Sequence, residues 1–259
     1  MWLHLIVIAG AGIASMRAAM ERGDVDEAAR QGELAGAVII EEALAAPDRP
    51  ARLAAIAAAP SVEGAAELLD ALAVAAGGPD RRTAIPAARA ARTIARELAE
   101  RELPDDIASD DAIAWRDAWA ALATRTDRWI ELRVLALDTA AALDRAATQP
   151  GERGSIGIAL DTALADRDPA FRRAAIAVVP APVPAPMRAA LATTLVKDTD
   201  ADVALAAAQA LCFDLVADAP GPILDAIGPA GLERIKSLVD GAKANPAVRD
   251  AKRCLAAKK

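Results

Sequence analysis

One phrase recurs along this chain and narrows what it can fold into. An Asp or Asn, often followed by Pro, leads through a small apolar/Arg step into an alanine-rich stretch. The clearest copies are Asp168-Pro169-Ala170-Phe171-Arg172-Arg173-Ala174-Ala175 and Asn245-Pro246-Ala247-Val248-Arg249-Asp250-Ala251. Looser copies stand at Asp48-Arg49-Pro50-Ala51-Arg52-Leu53-Ala54-Ala55, at Asp127-Arg128-Trp129-Ile130-Glu131-Leu132-Arg133 and at Asp200-Ala201-Asp202-Val203-Ala204. A helix-start signal that returns at intervals marks stacked helical repeats, which present surface rather than enclose one catalytic centre.

Each part of the phrase has a physical task. Pro fixes the backbone angle of a first helical turn where no amide donor is needed, and the preceding Asp or Asn accepts hydrogen bonds from free amides. Phe171, Ile176 and Val179 give a partly helical apolar face. Arg172 lies outside that face and is free to pair with an acid of a neighbouring repeat.

The rest of the sequence agrees with an all-α chain. Of its 259 residues 54% are hydrophobic, alanine dominates, and no Tyr occurs. Such a composition favours close-packed helices of high intrinsic propensity. Branched residues come singly or in short runs such as Val38-Ile39-Ile40, without the alternation of strands. From Asp48 onward, helices of about 10 to 15 residues are expected between breaks at 47–50, 77–80, 103–111, 149–154, 166–169, 180–186, 220–222 and 245–246.

The repeat intervals, measured between apolar residues of successive copies, are 39 from Leu132 to Phe171, 32 from Phe171 to Val203 and 45 from Val203 to Val248. Asp-Pro-x-[Val/Phe]-Arg-x-Ala resembles the second-helix signature of HEAT-type repeats, most strongly from Asp166 to Leu255 and least between Ala99 and Thr126. The resemblance implies an α-solenoid of antiparallel helix pairs wound into a right-handed superhelix, continuous over 48–259. Ala204 stands where the pattern has Arg, so a ladder of Asp and Arg between repeats would be interrupted there. Residues 1–47 are expected to form N-terminal helices that run into the same continuous solenoid. Within them, Ala19-x-x-x-Gly23-Asp24-Val25-Asp26-Glu27-Ala28 looks like the turn of a tetratricopeptide hairpin between helices at 15–21 and 25–35.

The apolar run Trp2 to Ala14 is shorter than the roughly 20 residues a bilayer requires and has no preceding Lys or Arg. It reads as a buried first helix or as a signal-like segment. Location follows the same fork, cytoplasmic by default and exported if the segment is a signal. No membrane span is expected under either reading.

Charge restricts the partners. The formal net charge is -7, which argues against nucleic acid as a ligand. The stretch Gly231 to Lys259 carries eight Lys/Arg against three acids, leaving it at +5 and the remainder at -12. Cations there complement helix dipoles and keep a terminal cap soluble.

Candidate chemistry is sparse. The one histidine, His4, lies in the apolar run without a second ligand, and Gly-x-Ser-x-Gly is absent. Asp105, Asp106, Asp110 and Asp111 do not have calcium-loop spacing. Ser109 before two Asp reads as a helix N-cap, and Gly151 to Gly157 as a loop without phosphate-loop residues. No cofactor, metal or catalytic residue is expected.

Three features remain. Arg89, Arg92 and Arg96 share one helix face, with Arg81 and Arg82 upstream. Trp115 and Trp119 sit four apart, with Trp129 close by, as a partner anchor or as bulky core. Cys212 and Cys254 are 42 residues apart, late in the presumed second helices of the last two repeats. They are either bridged, in an exported protein, or buried free thiols in a reducing compartment. The leading expectation is a non-enzymatic scaffold that binds a protein partner along the solenoid. The alternative is a HEAT-like DNA-binding or glycosylase-type repair enzyme using the Arg89, Arg92 and Arg96 face.

Overall fold

The computed structural model describes residues 2–101, 109–147, 155–181, 183–213, 215, 221–240 and 242–257, with side chains from residue 11 onward apart from those of residues 109 and 155. The fold is all-α, and no strand occurs among the described residues. Two compact units divide the chain, residues 1–159 and residues 160–259.

Unit 1 contains α1 (Trp2–Glu21), α2 (Val25–Ala35), α3 (Ala37–Leu44), α4 (Arg49–Ala58), α5 (Leu69–Gly77), α6 (Arg81–Glu100), α7 (Ser109–Thr124) and α8 (Ile130–Ala146). Consecutive helices α1 and α2, α3 and α4, α5 and α6, and α7 and α8 pack together as hairpins. Each helix also packs on the one two places along, giving one layer α1–α3–α5–α7 and another α2–α4–α6–α8. This two-layer stacking is the α-solenoid arrangement.

Unit 2 opens within α9 (Ser155–Leu164) and continues through α10 (Pro169–Ala177), α11 (Ala185–Lys197), α12 (Ala201–Phe213), α13 (Gly221–Val239) and α14 (Pro246–Ala257). Here α10–α12–α14 form one layer, and α11 packs on α13 in the other.

The copies of the recurring phrase stand at the starts of α4, α8, α10, α12 and α14, and Asp24 and Asp80 stand at the starts of α2 and α6. Side-chain carboxylates cap α2 (Asp24, from Glu27 N), α4 (Asp48, from Ala51 N), α6 (Asp80, from Arg82 N), α10 (Asp168, from Ala170 N) and α12 (Asp200, from Asp202 N and Val203 N). Asn245 Oδ1 accepts from Val248 N at the start of α14. The apolar residues Leu132, Phe171, Val203 and Val248 of these copies are all buried. Each such side chain contributes roughly 1.5–3 kcal/mol to the core.

The copy at Asp127 departs from the others. Helix α8 starts at Ile130 behind Trp129, which makes no side-chain cap, and Asp127 is instead gripped by Arg125 through two hydrogen bonds. The Arg between them, Arg128, reaches back to the carbonyls of Gly77 and Gly78 at the end of α5.

Other details differ from expectation. Trp2–Ala14 and the stretch at 15–21 form one helix, α1, because no Gly-Pro or capping break separates them; its side chains Met16 and Ala19 are buried. Asp24 and Gly23 (φ 78°) do make the turn into α2. Several helices exceed the expected length, α6 at 20 residues, α8 at 17 and α13 at 19. Helix α6 tolerates Pro86 in its early turns, and α13 kinks where Gly228 takes φ 61° before Pro229. The expected breaks do not include this one. Gly157 belongs to α9 rather than to a loop, while 151–154, like Asp105 and Asp106, lie outside the described residues.

Small residues set the spacing of the layers. In unit 1 a Cβ added to Gly32 of α2 would stand 2.2 Å from Ala58 Cβ of α4, 2.8 Å from Ile40 Cδ1 and 3.0 Å from Met16 Sδ. The two helices can approach this closely only because that side chain is absent.

Candidate interaction surface

The arginines of α6 are held across the layer by acids of α8. Glu131 accepts from Arg89 Nη2 at 2.6 Å and from Arg81 Nη2 at 3.3 Å. Asp138 accepts from Arg96 Nη2 at 2.6 Å, with Arg92 at 3.8 Å. Hydrogen bonding from Arg89, and then from Arg81, outweighs partial burial and holds the Glu131 carboxyl below the usual range. Four guanidinium groups therefore face two carboxylates. Much of the charge available for phosphate is already engaged within the chain.

The tryptophans divide by burial. Trp119 is fully enclosed and Trp115 nearly so, both on α7, whereas Trp129 is half-buried at the entrance to α8. Trp119 Nε1 has no partner among the described residues. The first two serve as bulky core of unit 1, where alanines would leave the α7–α8 hairpin underfilled. Arg116 beside them ties α7 to α8 through Asp144 at 3.1 Å and also pairs with Asp117. His4 lies in the part of α1 whose side chains are not described.

Cys212 of α12 and Cys254 of α14 are joined in a disulfide with their Cα atoms 5.4 Å apart. Both are fully buried. In the same unit the phrase arginine Arg172 forms a bidentate pair with Asp198, at 2.7 and 2.8 Å, just ahead of α12. Its Nη1 also donates to the carbonyls of Asp166 and Arg167, six and five residues before it. Arg52 repeats that second set of bonds in unit 1, donating to the carbonyls of Ala46 and Pro47. One side chain thus closes the inter-helix turn in both units.

A groove of about 630 Å³ opens along α3, α5 and the turns after them. Its walls include Glu41 of α3 with Ala45 just after it, and Ala71, Val74 and Ala75 of α5 with Gly78 just after it. Val74 is 79% exposed. Val38, 64% exposed, shares the α3 face of Glu41 and Ala45 by helical register, and Leu34 at the end of α2 is 83% exposed. Sequence reasoning passed over these residues. The available signal was phase: Ile39, Ile40, Ala43 and Leu44 form the buried face of α3, and Val38 falls outside it.

Among the described residues no group of His, Cys, Asp and Glu has the arrangement of a metal site, and no helix is long and apolar enough to cross a membrane. No protein-family model and no curated protein matches the chain. Among solved structures, a chain from the work on microtubule plus-end tracking by XMAP215, CLIP-170 and EB1 aligns over 85% of this chain and 90% of its own, at 14% identity and a TM-score of 0.49. An engineered protein, Northeast Structural Genomics Consortium target OR329, aligns over 95% of both chains at 18% identity and a TM-score of 0.49. Neither likeness assigns a family or a function.

Proposed function

We propose that this chain is a HEAT-like, non-enzymatic scaffold that docks a protein partner through unit 1. The observation that supports this reading is the open groove between α3 and α5, lined by the exposed apolar side chain of Val74, with exposed Val38 on the helical face of α3 that carries the lining residue Glu41. Large apolar side chains left in water beside a concave surface are the usual sign of an interaction site. Small groups at Ala45, Ala71, Ala75 and Gly78 give an incoming apolar segment access to the groove wall.

The DNA-binding alternative draws on Arg89, Arg92 and Arg96, and the pairing of those residues with Glu131 and Asp138 weighs against it. Binding of duplex DNA would have to displace two internal carboxylates on a chain whose net charge is -7.

The test combines affinity capture from the native host with a V38D/V74D double variant and a duplex-DNA titration across a salt series. The reading expects a captured protein that the double variant loses, with its helical content and melting temperature unchanged. Tight, salt-sensitive DNA binding, or capture that survives both aspartates, would overturn it.

A further inference from the structure

The α10–α12–α14 layer has two joints, and they are fastened differently. Between α10 and α12 the phrase arginine Arg172 grips Asp198 through two short hydrogen bonds. Between α12 and α14 the corresponding arginine position is Ala204, which is fully buried and has no donor to offer. The polar ties between described residues at this joint are loose: Gln209 Nε2 donates to Asp250 Oδ2 at 3.3 Å, and the Arg253 guanidinium sits 5.7 Å from the Phe213 ring centre. Arg249, the phrase arginine of α14, is 69% exposed in its side chain and meets its own neighbour Asp250. The disulfide between Cys212 and Cys254 lies at this joint.

We infer that Cys212–Cys254 is a structural cross-link that replaces the missing arginine tie at the α12–α14 joint, and that the chain acquires it by oxidative folding and works where thiols are kept oxidised. Compartments with a reducing thiol pool do not sustain such bonds in ordinary proteins. Formation is a two-electron exchange with a disulfide-bearing oxidant. One chain thiolate attacks the oxidant's disulfide, forms a mixed disulfide and expels the oxidant's first thiolate. The second chain thiolate then attacks the chain sulfur of that mixed disulfide, closing Cys212–Cys254 and expelling the oxidant's second thiolate. The two chain thiols lose two protons and two electrons, and the oxidant departs as a dithiol.

Burial makes this tie permanent rather than rapidly reversible. Neither sulfur is reachable from solvent while α14 lies on α12, so a reductant acts only after the joint opens. The face of α14 formed by Val248, Ala251 and Cys254 is packed in the core of unit 2, so opening exposes apolar surface.

The test starts with protein taken from its native host under acid quench and thiol alkylation, followed by peptide mass analysis. The expected result is a linked pair of peptides containing Cys212 and Cys254. The purified protein is then melted in three forms: oxidised, reduced with dithiothreitol in denaturant and refolded with reductant present, and as the C212A/C254A variant. The inference expects the bond to resist dithiothreitol in the native protein. It also expects the reduced form to lose on the order of 10 °C in the unit 2 transition, with unit 1 unchanged. The reduced wild type keeps both sulfurs, so it separates loss of the bond from any cavity in the double variant or failure of that variant to fold. Alkylated thiols at both positions in the quenched sample would overturn the inference. So would a reduced form that melts with the oxidised one, or rapid reduction of the native protein.

Discussion

Unit 1 and unit 2 stack the same kind of layer by different means. In unit 1 the even helices approach through the absence of a side chain at Gly32, and α6 meets α8 through arginines that remain largely in water, with side-chain exposures of 62% for Arg89 and 51% for Arg96. In unit 2 the tightest ties are enclosed, although the Arg173–Asp202 pair remains in water. Arg172 and Asp198 expose only 13% and 6% of their side chains, and the next joint is covalent. Enclosure therefore matters more than the number of contacts. Exposed ion pairs contribute at most about 1 kcal/mol each, whereas removing one partner of an enclosed pair strands the other charge.

The sharpest way to break this contrast is Arg172→Ala. It leaves Asp198 without its bidentate donor and should destabilise unit 2 by about 3 kcal/mol, read from urea unfolding followed in that unit. Gly32→Ala comes next. The new Cβ would overlap Ala58, and unit 1 should lose about 2 kcal/mol as α2 and α4 move apart. Asp168→Ala removes one N-cap and should cost about 1 kcal/mol. The double change Arg89→Ala and Arg96→Ala should cost less than about 1 kcal/mol, most of it disappearing in high salt. If that double variant proved as damaging as Arg172→Ala, enclosure would not be the variable that separates the two units.

Acid offers a subtler comparison. Burial works to raise the Asp198 pKa, but hydrogen bonds from Arg172 and the Asp200 amide prevail and leave it lowered. A carboxyl depressed in the folded state contributes stability above its unfolded pKa of about 3.9, and that contribution is lost as pH falls through the folded value. Unit 2 stability should therefore decline below about pH 4, and Arg172→Ala should flatten that decline. Equal pH dependence in both proteins would show that Asp198 is not the group responsible.

Much of the architecture was legible because the phrase acts locally. An Asp or Asn accepting amides two or three residues on needs no tertiary partner, so Asp48, Asp168, Asp200 and Asn245 announced α4, α10, α12 and α14 directly. The Asp127 copy misled because the Arg125 fork, formed within the same turn, competes for that carboxylate. The partner of Arg172 was readable as an acid of a neighbouring repeat, though only the packing of α10 on α12 selects Asp198. The surface was much less legible. Whether Arg89 is free or engaged depends on Glu131, 42 residues away, and whether Val38 is covered depends on which face α3 turns inward. The first follows from a tertiary contact that no local pattern encodes, whereas the second was marked only by the helical phase of Ile39, Ile40, Ala43 and Leu44.

The two-layer packing described for each unit also has a kinetic consequence. Because helices there meet chiefly their first and second neighbours along the chain, formation of a contact seldom requires closure of a long loop. Folding can then begin at any hairpin and spread outward, and fraying can begin at either end of a unit. Amide exchange should accordingly be graded along each stack, slowest at its middle helices. Only a link such as that between residues 212 and 254 would interrupt the gradient, by holding the last helix to the pace of one two places before it.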